Sequence, residues 1–324
     1  MGGWNGILVV NKPCGPTSHD CVDVARKKSG IRRVGHAGTL DPFASGVLVL
    51  GFGKATRLLD YYMHHAKEYR MRMELGVISD TFDRTGEVLQ REALDQWFPD
   101  PSAAEEIVRE VAQRFSGKIQ QVPPRYSAKK WKGKKMYEYA RKGQDISLPP
   151  REVEVFSLRV EEVALPYVTL WATVSPGTYM RSLAMDIGVA LGCGAIATDL
   201  TRTRSGEFCL EQALELPEWE KLPESAVFQS NAWIPVEKAV AFLPALRLNE
   251  EGAQKVANGN PVEASFVRDW EGSFGKKETV RILSPNGDLL ALATSERTSS
   301  FLGTAISPTH PPQQRVARVF RVLA

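Results

Sequence analysis

Between residues 69 and 75 the chain alternates strictly. Tyr69, Met71, Met73 and Leu75 are apolar, and Arg70, Arg72 and Glu74 between them are charged. A helix would scatter those charges around its circumference, whereas a strand sends them all to one face. The segment is therefore expected to be a half-buried strand with a core against one side. Tyr69 falls on the buried side. The runs 6–10 and 45–52 are apolar at nearly every position and are expected to be buried strands. Asn11-Lys12-Pro13 ends the first of them.

Helices are marked by their ends. Thr17 with Asp20 three residues on predicts a capping box, with Lys27 and Lys28 at the negative end and Gly30 as the stop. Ser102 with Glu105 predicts a second capping box, for a helix burying Ile107, Val108, Val111 and Phe115 and ending at Gly117. Residues 153–163 and 167–174 are expected to form a strand pair. Thr178 is expected to cap a helix over 179–191, with Gly192 just past its end. Residues 219–235 have a weak, linker-like pattern. Beyond Pro244 short strands with turn signals follow, including a hairpin around Ser284-Pro285-Asn286-Gly287-Asp288 and a short helix over 252–259. Residues 269–278 and 298–314 are expected to be loops.

At 324 residues the chain exceeds one typical compact core. The expected division is a large domain over 1–240 and a smaller one over 241–324. A composition 43% hydrophobic and 24% charged excludes wholesale disorder, collagen and coiled coil. No apolar run approaches the roughly 20 residues needed to cross a bilayer, and the first residues carry no secretory pattern. Cys14, Cys21, Cys193 and Cys209 form neither a C-x-x-C pair nor a Cys/His cluster. No disulfide framework or zinc ribbon is expected, and the default is a reducing cytoplasm.

The net charge is only +3, but its distribution is uneven. Residues 125–151 hold Arg125, Lys129, Lys130, Lys132, Lys134, Lys135, Arg141, Lys142 and Arg151 against Glu138 and Asp145, a local excess of +7. Pro123-Pro124 and Pro149-Pro150 bracket this stretch as an excursion from the sheet. Tyr126, Trp131, Tyr137 and Tyr139 run through it. Cations for phosphates with aromatics for bases point to nucleic acid; a solvated basic hairpin with its own small core fits the same residues.

The densest chemical cluster is Gly35-His36-Ala37-Gly38-Thr39-Leu40-Asp41-Pro42. Two glycines and a proline fix an unusual backbone path around one carboxylate. The same residues also suit a tight turn in which Asp41 bonds to backbone amides. Gly51-Phe52-Gly53-Lys54-Ala55-Thr56 misses the phosphate-loop spacing, because Ala55 stands where a hydroxyl is needed. His36, His64 and His65 complete no metal pattern.

These residues resemble the TruB family of pseudouridine synthases. Val34 to Pro42, V-G-H-A-G-T-L-D-P, is similar to its catalytic motif. Asn11-Lys12-Pro13 with Gly15, Thr17 and Ser18 resembles its first motif, and Lys54 to Arg57 follows the catalytic strand. Lys67-Glu68-Tyr69 resembles its tyrosine motif, and Asp80, Thr81, Asp83 and Gly86 its next loop. Pro123 to Ala128, with Tyr137, Ala140, Arg141 and Gly143, resembles its RNA-gripping insertion. Gly177 to Leu183 resembles its arginine motif and Leu200 to Gly206 its late segment. The likeness spans roughly residues 6–215 and weakens beyond.

The resemblance implies an α+β fold: a mixed-sheet pseudouridine synthase catalytic domain with the insertion at 125–151, followed by a small C-terminal β-rich PUA-like RNA-binding domain. It implies that the chain isomerises the uridine at position 55 in the tRNA T-loop, as a cytoplasmic monomer without guide RNA. Asp41 would be the nucleophile. Tyr69 would lie against the base and help remove the C5 proton, and Arg181 would pair with Asp41. His36 would hold the opened loop, Asp83 would contact flipped nucleotides, and Leu200 would line the uracil pocket. Tyr179, Lys129, Lys130, Lys132 and Arg141 would bind RNA.

The chemistry suits those residue types. A glycosidic bond breaks, the uracil turns, and C5 joins the same sugar carbon, so atoms and electrons balance without metal, redox cofactor or ATP. A carboxylate can form a transient adduct or stabilise charge. A guanidinium stays charged when buried, so it would hold the neighbouring carboxylate ionised. Two other readings compete. A synthase dependent on guide RNA is disfavoured because the insertion supplies a grip within the chain. A tRNA-binding or folding factor would bind without turnover.

Overall fold

The computed structural model describes residues 3–126, 130–131, 134–136, 139, 148–305 and 314–323. Lys129, Lys132 and Arg141 lie outside them. Lys130 belongs to a two-residue strand, Lys130–Trp131, paired with Lys134–Lys135.

The alternating segment forms the strand Lys67–Leu75, with Tyr69, Met71, Met73 and Leu75 buried. It lies inside a mixed sheet of eleven strands among the described residues. Across the main path the order is Leu214–Glu215, Gly6–Lys12, Ser45–Phe52, Ala195–Ser205, Lys67–Leu75, Tyr167–Val174, Arg151–Ala164 and Gly117–Gln121. Most neighbours are antiparallel, but Ala195–Ser205 runs parallel to Ser45–Phe52. The apolar face of Lys67–Leu75 packs in one cluster with Val108 and Ala112 of the helix Ala104–Gln113 and Leu183 and Ile187 of the helix Met180–Ala190.

Gly6–Lys12 and Ser45–Phe52 are covered on both faces, which explains their unbroken apolar sequence. Ile7, Val9, Val47 and Val49 face Leu58, Tyr62 and Val240. Leu8, Val10, Leu48 and Leu50 face Cys21, Val22 and Ala25 of the helix Ser18–Ser29. That helix has the expected Thr17–Asp20 capping box and ends at Gly30 in the left-handed region, φ 68°.

Four expectations fail locally. Ser102 does not cap the second helix. Asp100 takes its amide and hydroxyl, opening a 3₁₀ turn over Pro101–Ala103 ahead of the helix. The helix buries Ala104, Val108, Val111 and Ala112, and Ile107 is 37% exposed. Nor does Thr178 cap its helix, because its hydroxyl donates to the Ser175 carbonyl and the N-cap residue is Tyr179. Residues 219–235 are not a linker. Trp219 is fully buried, Trp233–Pro235 pairs with Gly6–Lys12, and Trp4, Phe52, Phe228 and Trp233 form one aromatic cluster.

A second sheet of six strands begins at Ala245–Leu248 and includes the expected hairpin, Thr279–Leu283 with Leu289–Ser295. Two expected loops are partly regular: Val267–Glu271 is a strand and Ser299–Ala305 a helix. Leu292 and Leu323 pack against Val236 and Val240, and Arg57 Nη1 donates to the Val322 carbonyl at 2.8 Å.

Candidate active site

The segment after the strand Val34–His36 is pinned from four directions. Ser18 Oγ accepts from the Leu40 amide at 2.8 Å and lies 3.1 Å from the Leu40 carbonyl. The Gly15 amide donates to the Pro42 carbonyl at 2.8 Å. Lys12, fully buried, donates to the carbonyls of Pro13 at 2.7 Å and Pro16 at 2.9 Å and reaches that of Pro42 at 3.5 Å. Desolvation pulls its pKa down. Arg202, also buried, reaches the carbonyls of Val47 at 2.7 Å, Gly38 at 3.2 Å and Thr39 at 3.4 Å. Gly46 lets the backbone of Arg202 come close beside it: at φ +109°, a Cβ there would stand 2.2 Å from the Arg202 carbonyl oxygen.

Asp41 projects from this pinned loop with its side chain 35% exposed. Arg181, in the first turn of Met180–Ala190, is 4% exposed. Its Nε donates to Asp41 Oδ2 at 2.8 Å, Nη1 to the Thr81 carbonyl at 2.7 Å and Nη2 to the Tyr126 carbonyl at 2.8 Å. Nη1 also lies 3.3 Å from Asp83 Oδ2. One planar cation thus joins two carboxylates and two carbonyls, a task for a fork of fixed donors rather than an ammonium.

Asp83 is turned toward protein. Its Oδ1 accepts from the Thr85 amide and Thr81 Oγ1 at 2.9 Å each and from Thr85 Oγ1 at 2.5 Å. Asp41, Tyr69, Leu200 and Tyr179 line a cleft of about 410 Å³, while Arg181 and Asp83 stand behind Asp41. His36 ends its strand outside the lining, with its pKa lowered first by desolvation and then by Arg202. Tyr69 pairs in register with Arg202 on one side and Ala172 on the other. Sequence reasoning missed Lys67, Arg151 and Arg202 as lining residues. Each nevertheless falls inside a stretch the sequence marks: Lys67 in the tyrosine motif, Arg151 in the basic excursion and Arg202 in the late segment.

Lys67 is 6% exposed and donates to the carbonyls of His65 at 2.5 Å and Met63 at 2.6 Å. Burial, then the charge of Arg202, pulls its pKa from 10.5 to about 8. Between those values the unfolded chain holds the proton and the folded chain does not, so raising the pH favours folding. Chemical denaturation of wild type and Lys67→Met is expected to show their stability gap moving toward wild type from pH 8 to 10.5, by about 3 kcal/mol at most. A gap that stays flat contradicts this.

A family model described as "TruB family pseudouridylate synthase (N terminal domain)" matches residues 26–180. The tRNA pseudouridine synthase B of Thermotoga petrophila is 44% identical over 318 residues, covering 98% of both chains. The chain belongs to the TruB family. The tRNA pseudouridine synthase B of Thermosipho melanesiensis is 45% identical over 299 residues, 92% of this chain and 93% of that one. A protein in the crystal structure of a Cbf5-Nop10-Gar1 complex matches with TM-score 0.69 and 28% identity, over 99% of this chain and 85% of the other. One in the structure of an H/ACA RNP bound to a substrate RNA containing 2'-deoxyuridine matches with TM-score 0.69 and 26% identity, over 98% and 85%. The mixed-sheet α+β pseudouridine synthase fold expected from the TruB resemblance is therefore the fold observed. No helix among the described residues is long and apolar enough to cross a membrane.

Proposed function

We propose that this TruB family member converts uridine to pseudouridine at position 55 in the T-loop of tRNA, with Asp41 as the reacting carboxylate. The observation that carries the reading is the carboxylate of Asp41 at the edge of a cleft lined by Tyr69 and Leu200, fastened at 2.8 Å to a buried guanidinium. Names of relatives at 44% and 45% identity supply tRNA as the substrate.

The target nucleotide leaves its loop at a cost of a few kcal/mol. Apolar contact with Leu200 and stacking on Tyr69 offset that cost. Asp41 acts at the sugar carbon as the glycosidic bond breaks, the uracil turns, and C5 takes the place of N1. The C5 proton passes to water with help from the Tyr69 hydroxyl, and N1 takes up a proton in its place. Arg181 holds the Asp41 carboxylate in orientation through the bond from Nε to Oδ2. Asp83 fixes Arg181 from behind rather than meeting the flipped nucleotides. His36 and Tyr179 flank the opened loop, and the basic stretch with Lys129, Lys130, Lys132 and Arg141 grips phosphates of the T arm. Residues 241–324, whose six-stranded sheet begins at Ala245–Leu248, serve as a PUA-like RNA-binding domain after a catalytic domain over 1–240. The chain works in the cytoplasm as a monomer without guide RNA, and the reaction balances without cofactor or metal.

The test uses a T-arm stem-loop tritiated at uridine C5. Wild type is expected to release label with nothing added, and to release none from that position when it carries cytidine. Failure to release label from the uridine substrate overturns the reading in favour of an RNA-binding factor. Tyr69→Phe keeps the ring and loses the hydroxyl. It is expected to slow release by about 10²-fold, the lower end for proton transfer by a placed group, with RNA affinity nearly unchanged. A Phe variant as fast as wild type removes Tyr69 from the proton step.

A further inference from the structure

The placement of Arg181 depends on the first turn of its helix, and that turn lacks the usual cap. The N-cap residue is Tyr179, no side chain of its own caps the helix, and the Thr178 hydroxyl is spent on Ser175. Gln121 supplies the missing fastening from another element. Its Oε1 accepts from the Tyr179 amide at 2.7 Å and its Nε2 donates to the Tyr179 carbonyl at 3.1 Å. One side-chain amide thus holds the helix-entry residue by both peptide groups. The same carbonyl accepts the Leu183 amide at 3.0 Å, so the clamp joins the intrahelical ladder.

Gln121 is 1% exposed. Hydrogen bonds in such surroundings are costly to leave unmade, so the clamp resists displacement. It ends the strand Gly117–Gln121, opposite Arg151 in register. The next residues add two more ties: Ser182 Oγ donates to the Val122 carbonyl at 3.0 Å and Arg181 Nη2 to the Tyr126 carbonyl at 2.8 Å. The edge of the sheet therefore sets where Met180–Ala190 begins, and its second residue carries the guanidinium that meets Asp41. Gln121 is not among the residues lining the cleft; two of its partners, Tyr179 and Arg151, are.

We propose that Gln121 is a positioning residue, which sets the direction of the Arg181 guanidinium and through it the orientation of the Asp41 carboxylate. The inference rests on the reading of Asp41 as the reacting group. A displacement of about 1 Å at such a site can cost about 10²-fold in rate without touching binding.

Gln121→Leu removes both arms of the clamp at similar volume, and Gln121→Glu keeps the accepting arm. Single-turnover conversion at saturating T-arm RNA is expected to fall about 10²-fold for the leucine variant and less for the glutamate variant, with RNA affinity within about threefold of wild type. A purely structural role would lower stability without that split. The second readout is the ¹⁵N–¹H resonance of Arg181 Nε, assigned by its disappearance in Arg181→Lys. It is expected to shift and exchange faster with water in both Gln121 variants, because its bond to Asp41 loosens. A wild-type rate in a folded Gln121→Leu, or a slowed rate with the Arg181 resonance unmoved, overturns the proposal. If the leucine variant does not fold, Gln121→Glu decides by the same two measurements. Should wild type prove inactive on the T arm, the functional reading has failed, and the resonance still reports the positioning.

Discussion

Asp41→Asn is expected to abolish pseudouridine formation, by at least about 10³-fold, while leaving RNA binding intact. The substitution preserves shape. Asparagine Oδ1 can still accept from Arg181 Nε, which now meets Asp41 Oδ2 at 2.8 Å. The ties to Ser18, Gly15, Lys12 and Arg202 involve the backbone of Gly38, Thr39, Leu40 and Pro42, not the side chain of Asp41. The loop therefore stays in place and only the negative charge is lost. An interaction made in the transition state but not in binding lowers kcat and kcat/KM together. Tritium release and RNA affinity, measured on one preparation, separate the two. Turnover within tenfold of wild type removes Asp41 from the chemistry.

Arg181→Met is expected to cost both activity and stability. Methionine fills much of the arginine stem but serves none of its acceptors. The carboxylates of Asp41 and Asp83 lose their shared cation, and the carbonyls of Thr81 and Tyr126 lose a donor. Asp83 is the decisive member, since its side chain is 5% exposed and cannot turn to water as Asp41 can. Breaking a buried pair from one side costs about 3–5 kcal/mol. Thermal and urea unfolding should therefore show a far larger loss than Asp41→Asn, which keeps the cation and removes the more exposed partner. Unfolding midpoints equal for the two variants contradict the view of Arg181 as the centre of the cluster. Arg181→Lys is expected to restore part of the stability and little of the rate, because one ammonium cannot meet four acceptors in different directions.

What the sequence displayed was local in range. The alternation at 69–75 and the pairing of Thr17 with Asp20 each involve a few consecutive residues, so side-chain chemistry alone defines them. The second cap was misplaced because Asp100, two residues earlier, competes for the Ser102 amide. Thr178 was misplaced because the turn back to Ser175 takes its hydroxyl. Residues 219–235 looked like a linker because their aromatics lack a period; their order comes from Trp4, Phe52 and the strand at Gly6–Lys12. The same holds within the cleft. Nothing near Arg202 in sequence announces that its guanidinium holds the carbonyls of Gly38 and Thr39, more than 160 positions away. Tyr179, which Gln121 clamps, is likewise 58 positions off. Motif likeness flagged Asp41, Tyr69, Leu200 and Tyr179 in the cleft and Arg181 and Asp83 behind it, whereas the ties made by Lys12, Arg202 and Gln121 became visible only in three dimensions.

The strand Ala195–Ser205 lies between Ser45–Phe52 and Lys67–Leu75, although the chain makes it last of the three. The two early strands are not neighbours, so neither has its partner on that side while synthesis is under way. Pairings across such separations form slowly and leave strand edges open in the meantime. The newborn chain must therefore wait for its central stave before the halves of the sheet can knit, and Leu200 and Arg202 are delivered on that same late strand. A ribosome-bound fragment ending before residue 195 holds Asp41, Tyr69 and Arg181 but no finished floor beneath them, and the first strand, Gly6–Lys12, gains Leu214–Glu215 and Trp233–Pro235 later still.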